Sequence, residues 1–573
     1  MNSPPTFNLL HEPWIPVRPV GGGPVREVCL RELLLCAREF GRIDDPSPLV
    51  TAALLRLSLA LLHRALAGPR NAEETARWFL NGFPAEKLEA YFAEWEEGFD
   101  LFHPERPFWQ KKTQPDRENR YHWSLLTPEL NGSNTTPVFG TKKRAEASVA
   151  KSEIEATLAQ WIGTTTAGQA VRLLIQNQSF ALGGRVTGTA ASQQGGPVMS
   201  KALFVPQGEN LLQTLCLNLL TYSGEMAKMD RAVWEWQAED MDRADFRQAP
   251  LGFADRYTWL SRGITLFPEP ENPGMVAKVG YGAGISRVED SNTGFSSDPM
   301  AALVSKKVEG SPTLLPLGLN LDRLAWRDLQ AILPEPQDQL YTDAKGKTIQ
   351  LPGQRPFVLQ NAEKVLTEVS RQTGMDKSAL VPVHVFGQIL GGKPGITSAF
   401  RHEVYALPLQ LVNDWDQGGK HIESALSGAK AVADGLRGAT RKLAAEVLSR
   451  GGEREPHKDD LADLVQTLPG LGAYWAALEH PFRVLLADLD TPDTALADWR
   501  GTVTREARRA WGLNLQGVGA GGAVHGYAYR PRRVQGKLQL SPQATLEYAL
   551  KALHAGTAPP PTPDSSPTQE ATP

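Results

Sequence analysis

The sequence predicts an α+β protein, with a large mixed α/β N-terminal domain over residues 1–400 and an antiparallel four-helix bundle over residues 401–556. Three observations lead there. At 573 residues the chain exceeds what one core supports and implies roughly two to four domains. Its hydrophobic period switches repeatedly between two and about 3.6 over the N-terminal part. After Arg401 only helical spacing remains, in long segments rich in alanine, leucine and charge.

Taken in order, Phe7–Leu34 (FNLLHEPWIPVRPVGGGPVREVCLRELL) reads as a strand, a turn at Gly21–Pro24, a second strand and a helix. Leu49–Ala67 and Asn71–Leu101 read as two amphipathic helices, and Phe108 and Trp109 in HPERPFWQ as buried anchors. Thr127–Thr141 is an irregular loop, and the triplet Lys142, Lys143, Arg144 after it is either a solvated face or a phosphate grip. Gln160–Gln176 reads as a helix and leads into QNQSFALGGRVTGTAASQQGGPVMSKALFVP, a long glycine-rich loop between apolar runs. Such a loop allows positive φ and brings bare N–H groups close to a ligand, although a surface connection has the same composition.

Leu211–Tyr222 reads as a buried helix, and Trp234, Trp236 and Trp259 as packing residues. Gly274–Leu319 reads as a small sheet with loops, Leu324–Leu333 as helix and Leu380–Phe386 as strand. The bundle helices fall at His421–Arg450, Asp459–Asp488, Thr491–Trp511 and Pro542–His554. Residues 557–573, dominated by Pro, Thr and Ser, form an expected disordered tail.

Hydrophobic residues make up 41% and charged residues 22%, with a net charge of −4 and no uninterrupted apolar run long enough to span a bilayer. This pattern predicts a cytoplasmic protein without a membrane partner, and it lacks the bulk positive charge of an electrostatic nucleic-acid binder. Any nucleic-acid contact is therefore local. The three cysteines, Cys29, Cys36 and Cys216, fit neither a zinc ribbon nor a disulfide framework, so no metal and no cofactor is expected.

The sharpest enzyme signal is GQILGGKP at Gly387–Pro394, a phosphate-binding loop in every position except the last, where proline replaces the magnesium-binding hydroxyl. The acidic cluster Glu239, Asp240, Asp242 and Asp245 reads as a solvated face, and neither GxSxG nor HExxH occurs. Nothing in the residues argues for catalysis. Arg505, Arg508 and Arg509 recur at spacings that place at least two on one helical face, with Arg530, Arg532 and Arg533 in a following loop. They are either solvated or phosphate contacts.

FNLLHEPWIPVRP, HPERPFWQ, the glycine-rich loop running into GGPV, and RHEVYALP before a helical C-terminal third occur in an order that resembles the CasA family, the large subunit of the type I-E CRISPR surveillance complex Cascade. The resemblance implies a non-catalytic subunit that recognises the protospacer-adjacent motif in double-stranded target DNA, helps open the duplex, and docks the helicase-nuclease. Its implied partners are the guide RNA, the other Cascade subunits, target DNA and that nuclease.

The family's glycine loop resembles Ala181–Arg185, which implies DNA contacts at Gly183, Gly184 and Arg185. The loop that anchors the guide RNA and a neighbouring subunit resembles Asn134–Gly140, with Asn134, Val138 and Phe139 as its contacts. The strand-parting wedge resembles Gly391–Thr397, with its tip at Lys393 and Pro394 and DNA contacts implied at these two and Gly395, although the family's tip amide is missing here. The positive finger corresponds to Lys278 or Arg287. Two other readings stay open: a nucleotide-binding enzyme using Gly387–Lys393, and a purely architectural scaffold.

Overall fold

The computed structural model describes residues 6–111, 165–185, 192–237, 247–269, 272, 274–288, 298–308, 311–333, 340–342, 348–350, 353–374, 380–390, 397–452, 456–519, 522–534 and 537–555. Two compact units divide the chain, one up to Tyr405 and one from Ala406 onward. The acidic cluster at 239–245, the basic triplet at 142–144 and the tail at 557–573 lie outside the described residues.

The first unit opens with β1 (Ile15–Pro19), β2 (Arg26–Val28) and β3 (Phe40–Ile43), which form a sheet of order β2-β1-β3. The β1–β2 hairpin turns at Gly21, Gly22 and Gly23, all at positive φ. The Pro48–Leu66 helix follows, started by the Ser47 side chain accepting from the Val50 N–H and by proline in its first turn. It is long and apolar enough to cross a membrane, yet 83% of its apolar window is buried inside the unit. It is a core helix.

The single helix expected over 71–101 is two, Ala72–Asn81 and Ala85–Trp95. Gly82 at φ 97 ends the first, and Pro84 keeps its predecessor out of helical geometry. Phe108 and Trp109 are each 1% exposed, and Phe108 packs in a cluster with Phe99 and Trp234, the three ring centroids 5.2–6.0 Å apart.

The Ala167–Phe180 helix leads into β4 (Gly184–Arg185), β5 (Ser192–Gln193) and β6 (Leu203–Pro206). The next helix stops at Asn218 rather than Tyr222, where the Asn218 amide turns back to donate to the Thr214 and Pro206 carbonyls. Small two-stranded sheets follow: β7 (Arg247–Gln248) with β10 (Ser286–Arg287), β8 (Arg262–Pro268) with β9 (Val276–Ala283), β11 (Leu303–Val308) with β12 (Ser311–Pro316), and β13 (Leu340–Thr342) with β14 (Thr348–Gln350). Residues 325–332 form a 3₁₀ helix, and Phe357–Thr373 an α-helix capped by left-handed Gly374.

The last strands of this part, β15 (Val381–Leu390) and β16 (Thr397–Leu407), join β6 in a sheet of order β16-β15-β6. Its middle strand brings Val383–Phe386 against Pro206–Leu203. Arg401, where the sequence placed the change of domain, therefore lies inside a strand, because β16 runs on to Leu407.

In the second unit, the helix expected over 459–488 is broken at Leu468–Pro469 into Lys458–Thr467 and Gly470–Ala487. The Lys420–Leu448 and Pro542–Ala555 helices run in opposite directions, with Gly428 against Leu553, Gly435 against Ala549 and Gly438 against Thr545. Lys420–Leu448 runs with Pro492–Gly517, since Trp499 Nε1 donates to Ala425 O (3.0 Å) and Asn514 Nδ2 to Thr440 Oγ1 (2.7 Å). Gly470–Ala487 opposes both: Gly470 N–H donates to Asn514 Oδ1 (2.7 Å), and Phe482 meets Trp499 edge-on. The arginines expected in a loop, Arg532 and Arg533, sit in β17 (Arg532–Val534), which pairs with β18 (Lys537–Gln539).

Candidate nucleic-acid interface

The Ala167–Phe180 helix is capped by Thr166 and buries Gln176–Phe180, so the chain leaves it from inside the unit. Within a few residues it must reach the surface, and glycines make that exit possible. Gly196 N–H donates to Ala181 O (2.7 Å), and a Cβ there would run into the Ser179 carbonyl, so no other residue fits without moving backbone. Gly183 lies across from it, where a Cβ would stand 3.2 Å from the Gly195 nitrogen. Gly184 differs: it has φ 145, and a Cβ would meet nothing within 4 Å. β4 and β5 then pair, Gly184 opposite Gln193 and Arg185 opposite Ser192. The loop is therefore a built hairpin with open space over Gly184.

What holds it is a side chain that no motif marked. Arg262, 1% exposed, donates from Nη2 to Leu182 O (2.5 Å) and from Nη1 to Gln194 O (2.7 Å), the two arms of the loop, and from Nη1 to Ser261 O (2.7 Å). Gln178, fully buried, locks Arg262 in turn: its amide donates to Arg262 O (2.8 Å) and accepts from Arg262 N–H (2.9 Å). The guanidinium's charge meets carbonyl dipoles here.

Two further residues draw distant sequence to the loop. Arg287 N–H, in β10, donates to the Gln194 side chain (2.8 Å). Gln388, in β15 and 3% exposed, donates to Phe180 O and Met199 O (2.9 Å each) and accepts from Thr397 Oγ1 (3.1 Å) at the start of β16. Gln388 thus ties the root of the loop to the base of the β15–β16 connection, the stretch of chain in which the sequence places the wedge.

Of the residues singled out in the sequence, Gly183, Gly184, Arg185 and Arg287 are brought together by these bonds. Lys278 lies in β9 opposite Phe267. Lys393, Pro394, Gly395, Asn134, Val138 and Phe139 lie outside the described residues. Arg505, Arg508 and Arg509 are exposed on the Pro492–Gly517 helix and each faces a carboxylate: Arg505 Nε donates to Glu506 (2.9 Å), Arg508 forks onto Glu547 (3.0 and 3.3 Å), and Arg509 stands 3.8 Å from Glu506. Gly387–Leu390 belong to β15 and Thr397 opens β16, so a strand stands where a phosphate loop needs a helix. Gly387 is there because a Cβ would stand 2.9 Å from Lys201 O. Among the described residues no three His, Cys, Asp or Glu side chains cluster as metal ligands.

Sequence reasoning missed Arg262, Gln178 and Gln388. Their signal was faint: single polar side chains inside apolar runs, which fold only if every donor finds a partner.

The family model of CRISPR-associated protein Cse1 matches residues 8–510. The chain belongs to the CRISPR-associated Cse1 family. The CasA/Cse1 protein of Thermus thermophilus is 34% identical over 530 residues, covering 91% of this chain and 95% of that protein. A crystal structure of Thermus thermophilus CasA superposes with a TM-score of 0.74 at 31% identity, over 96% of this chain and 99% of that one. A chain of a CRISPR RNA-guided surveillance complex shares the fold, with a TM-score of 0.60 at 18% identity over 89% of this chain and 100% of that one. The Cse1 match takes in the glycine hairpin, Arg262, β10 and the β15–β16 sheet together.

Proposed function

We propose that this Cse1-family chain is a non-catalytic subunit of a guide-RNA CRISPR effector complex that reads the protospacer-adjacent motif in double-stranded DNA and helps open the duplex. The observation that carries the reading is the convergence on one hydrogen-bonded support of the glycine hairpin, β10 with Arg287, and the base of the β15–β16 connection. A motif reader next to a wedge needs that arrangement, because reading and opening act on adjacent base pairs. The open space over Gly184 suits a minor-groove edge, whose acceptors differ little between A·T and T·A, so the preference is permissive. A surveillance complex among the structural relatives supports assembly with guide RNA and other subunits. The helices of the second unit make the antiparallel four-helix bundle, and the complex recruits the helicase-nuclease in the cytoplasm.

The test is duplex binding by a guide-RNA complex purified without this chain, before and after adding it back, on targets differing only in the flanking bases. Flank-dependent affinity on addition supports the reading, and equal gain for every flank makes the chain a clamp. Gly183→Asp should weaken motif-containing duplexes by about tenfold or more while the complex still assembles, because a side chain and a charge enter a space sized for bare backbone, and Gly184→Asp should do the same by placing a carboxylate in the open space over the hairpin. Loss of assembly would make the hairpin structural.

A further inference from the structure

A cavity of about 260 Å³ opens between the β15–β16 sheet and the bend after β3, lined by Asp45, Leu55, Val205, His384, Phe386 and His402 among others. That is just below the roughly 300–1,000 Å³ of drug-sized sites, which suits a single ring system. One wall is aromatic. Phe386, 4% exposed, stacks on His402 with centroids 4.4 Å apart and planes 8° from parallel, and His402 itself is exposed and lines the cavity.

The polar edge is equally specific. His402 Nε2 and His384 Nδ1 are 2.8 Å apart, so one must donate and the other accept. With both rings neutral, the remaining nitrogens, His402 Nδ1 and His384 Nε2, are then one donor and one acceptor, whichever tautomer holds. Burial, helped by His402 and Arg42, pushes His384 down to about 4, so the pair carries no charge at neutral pH. Arg42, at the rim, shares Asp44 with Arg18 (3.2 and 2.6 Å), and Asp45 faces Arg172 (3.3 Å). A phosphate there would have to compete with carboxylates that already engage these arginines.

We propose that this cavity takes an unpaired nucleobase, stacked on His402 and hydrogen-bonded by the donor and acceptor of the His384–His402 pair, with its sugar and phosphate left outside. The base comes from the guide RNA or from an opened DNA strand. The proposal rests on membership of a guide-RNA complex but not on motif reading by the glycine hairpin.

The first measurement is saturation-transfer NMR on the full chain at neutral pH with uridine, cytidine, adenosine and guanosine and their 5′-monophosphates. At least one nucleoside should bind, its monophosphate should bind no more than about threefold tighter, and His402→Leu should weaken binding by roughly tenfold or more. His402→Phe, which keeps the flat ring but not the nitrogens, should lose less. Both variants change an exposed side chain, and an unchanged melting temperature verifies the fold. The second measurement is photo-crosslinking in the assembled complex, with 4-thiouridine in the guide in one arm and 4-thiothymidine in either DNA strand in the other. A cross-link at 383–387 or 401–405, the parts of β15 and β16 that line the cavity, from the guide identifies RNA as the source, and one from a DNA strand identifies DNA. No nucleoside binding, binding indifferent to His402→Leu, phosphate-driven binding, or no cross-link at these positions from any strand would each overturn the proposal.

Discussion

A guanidinium that bonds the carbonyls on both arms of one loop sets that loop's width, and Arg262 does so for the glycine hairpin. Those carbonyls belong to the peptides that carry the Gly183 and Gly195 N–H groups, so the bonds also polarise these donors. A lysine keeps the charge but offers one nitrogen where two are needed. Arg262→Lys should therefore cut flank-dependent affinity by roughly tenfold while binding to unmatched duplex changes less, read from paired titrations. Equal loss on both duplexes would remove Arg262 from motif reading. Asp255 gives a residue-scale test of stability. Burial raises its carboxyl to about 7, against an ordinary 3.8, and Asp230 adds to the rise. Below about pH 4 the acid is protonated in folded and unfolded chains alike; between about 4 and 7 the unfolded chain releases a proton that the folded one keeps. Stability from this site is thus present at low pH and lost as pH rises to 7, by an upper bound on the order of 4 kcal/mol. Asp255→Asn, which keeps an acceptor for the Leu251 N–H, should raise the melting temperature at pH 8 and flatten its slope between pH 5 and 8. A variant less stable than the parent at pH 8 would refute that assignment.

Elements were legible where periodicity and punctuation agreed. The Pro48–Leu66 and Lys420–Leu448 helices, the first hairpin and the strand before Gly387 all carry patterns strong enough to read directly. The breaks at Gly82–Pro84 and at Leu468–Pro469 were written in the residues, but the apolar spacing continued across them and outweighed a single proline. β16 went unread because Thr397–Leu407 alternates poorly, with only its ends and Tyr405 buried. Of the candidate site, the glycine hairpin showed itself by composition; its support did not, since Gln178, Arg262 and Gln388 lie far apart in sequence and act through backbone carbonyls that any residue supplies. That support makes an element-scale prediction. Gln388→Leu leaves the Phe180 and Met199 carbonyls without their donor, at about 1–3 kcal/mol for each buried group. Hydrogen exchange at the Gly196 and Val198 amides and along β16 should then speed up together, whereas faster exchange in β16 alone would mean that hairpin and sheet are not coupled through this residue.

At the scale of the whole molecule, the division after Tyr405 implies that the second unit carries enough core to fold by itself. Its long helices bury Leu426, Leu436, Leu443, Tyr474, Leu478, Phe482, Val503 and Leu546 against one another, all at most 4% exposed. Buried polar groups fix the register: Tyr474 Oη donates to Ala429 O (2.9 Å), Trp499 to Ala425 O (3.0 Å), and fully buried Asn514 joins Thr440 to Gly470. A fragment spanning 408–555 should therefore give a helical circular-dichroism spectrum and a single cooperative melt. Within it, Asn514→Ala should cost about 2–4 kcal/mol, because it strands the Gly470 N–H and removes the bond to Thr440 at the meeting point of three helices. A fragment that is helical but melts without cooperativity would show that the helices form without this packing. One unaffected by Asn514→Ala would show that register is set by the apolar contacts alone.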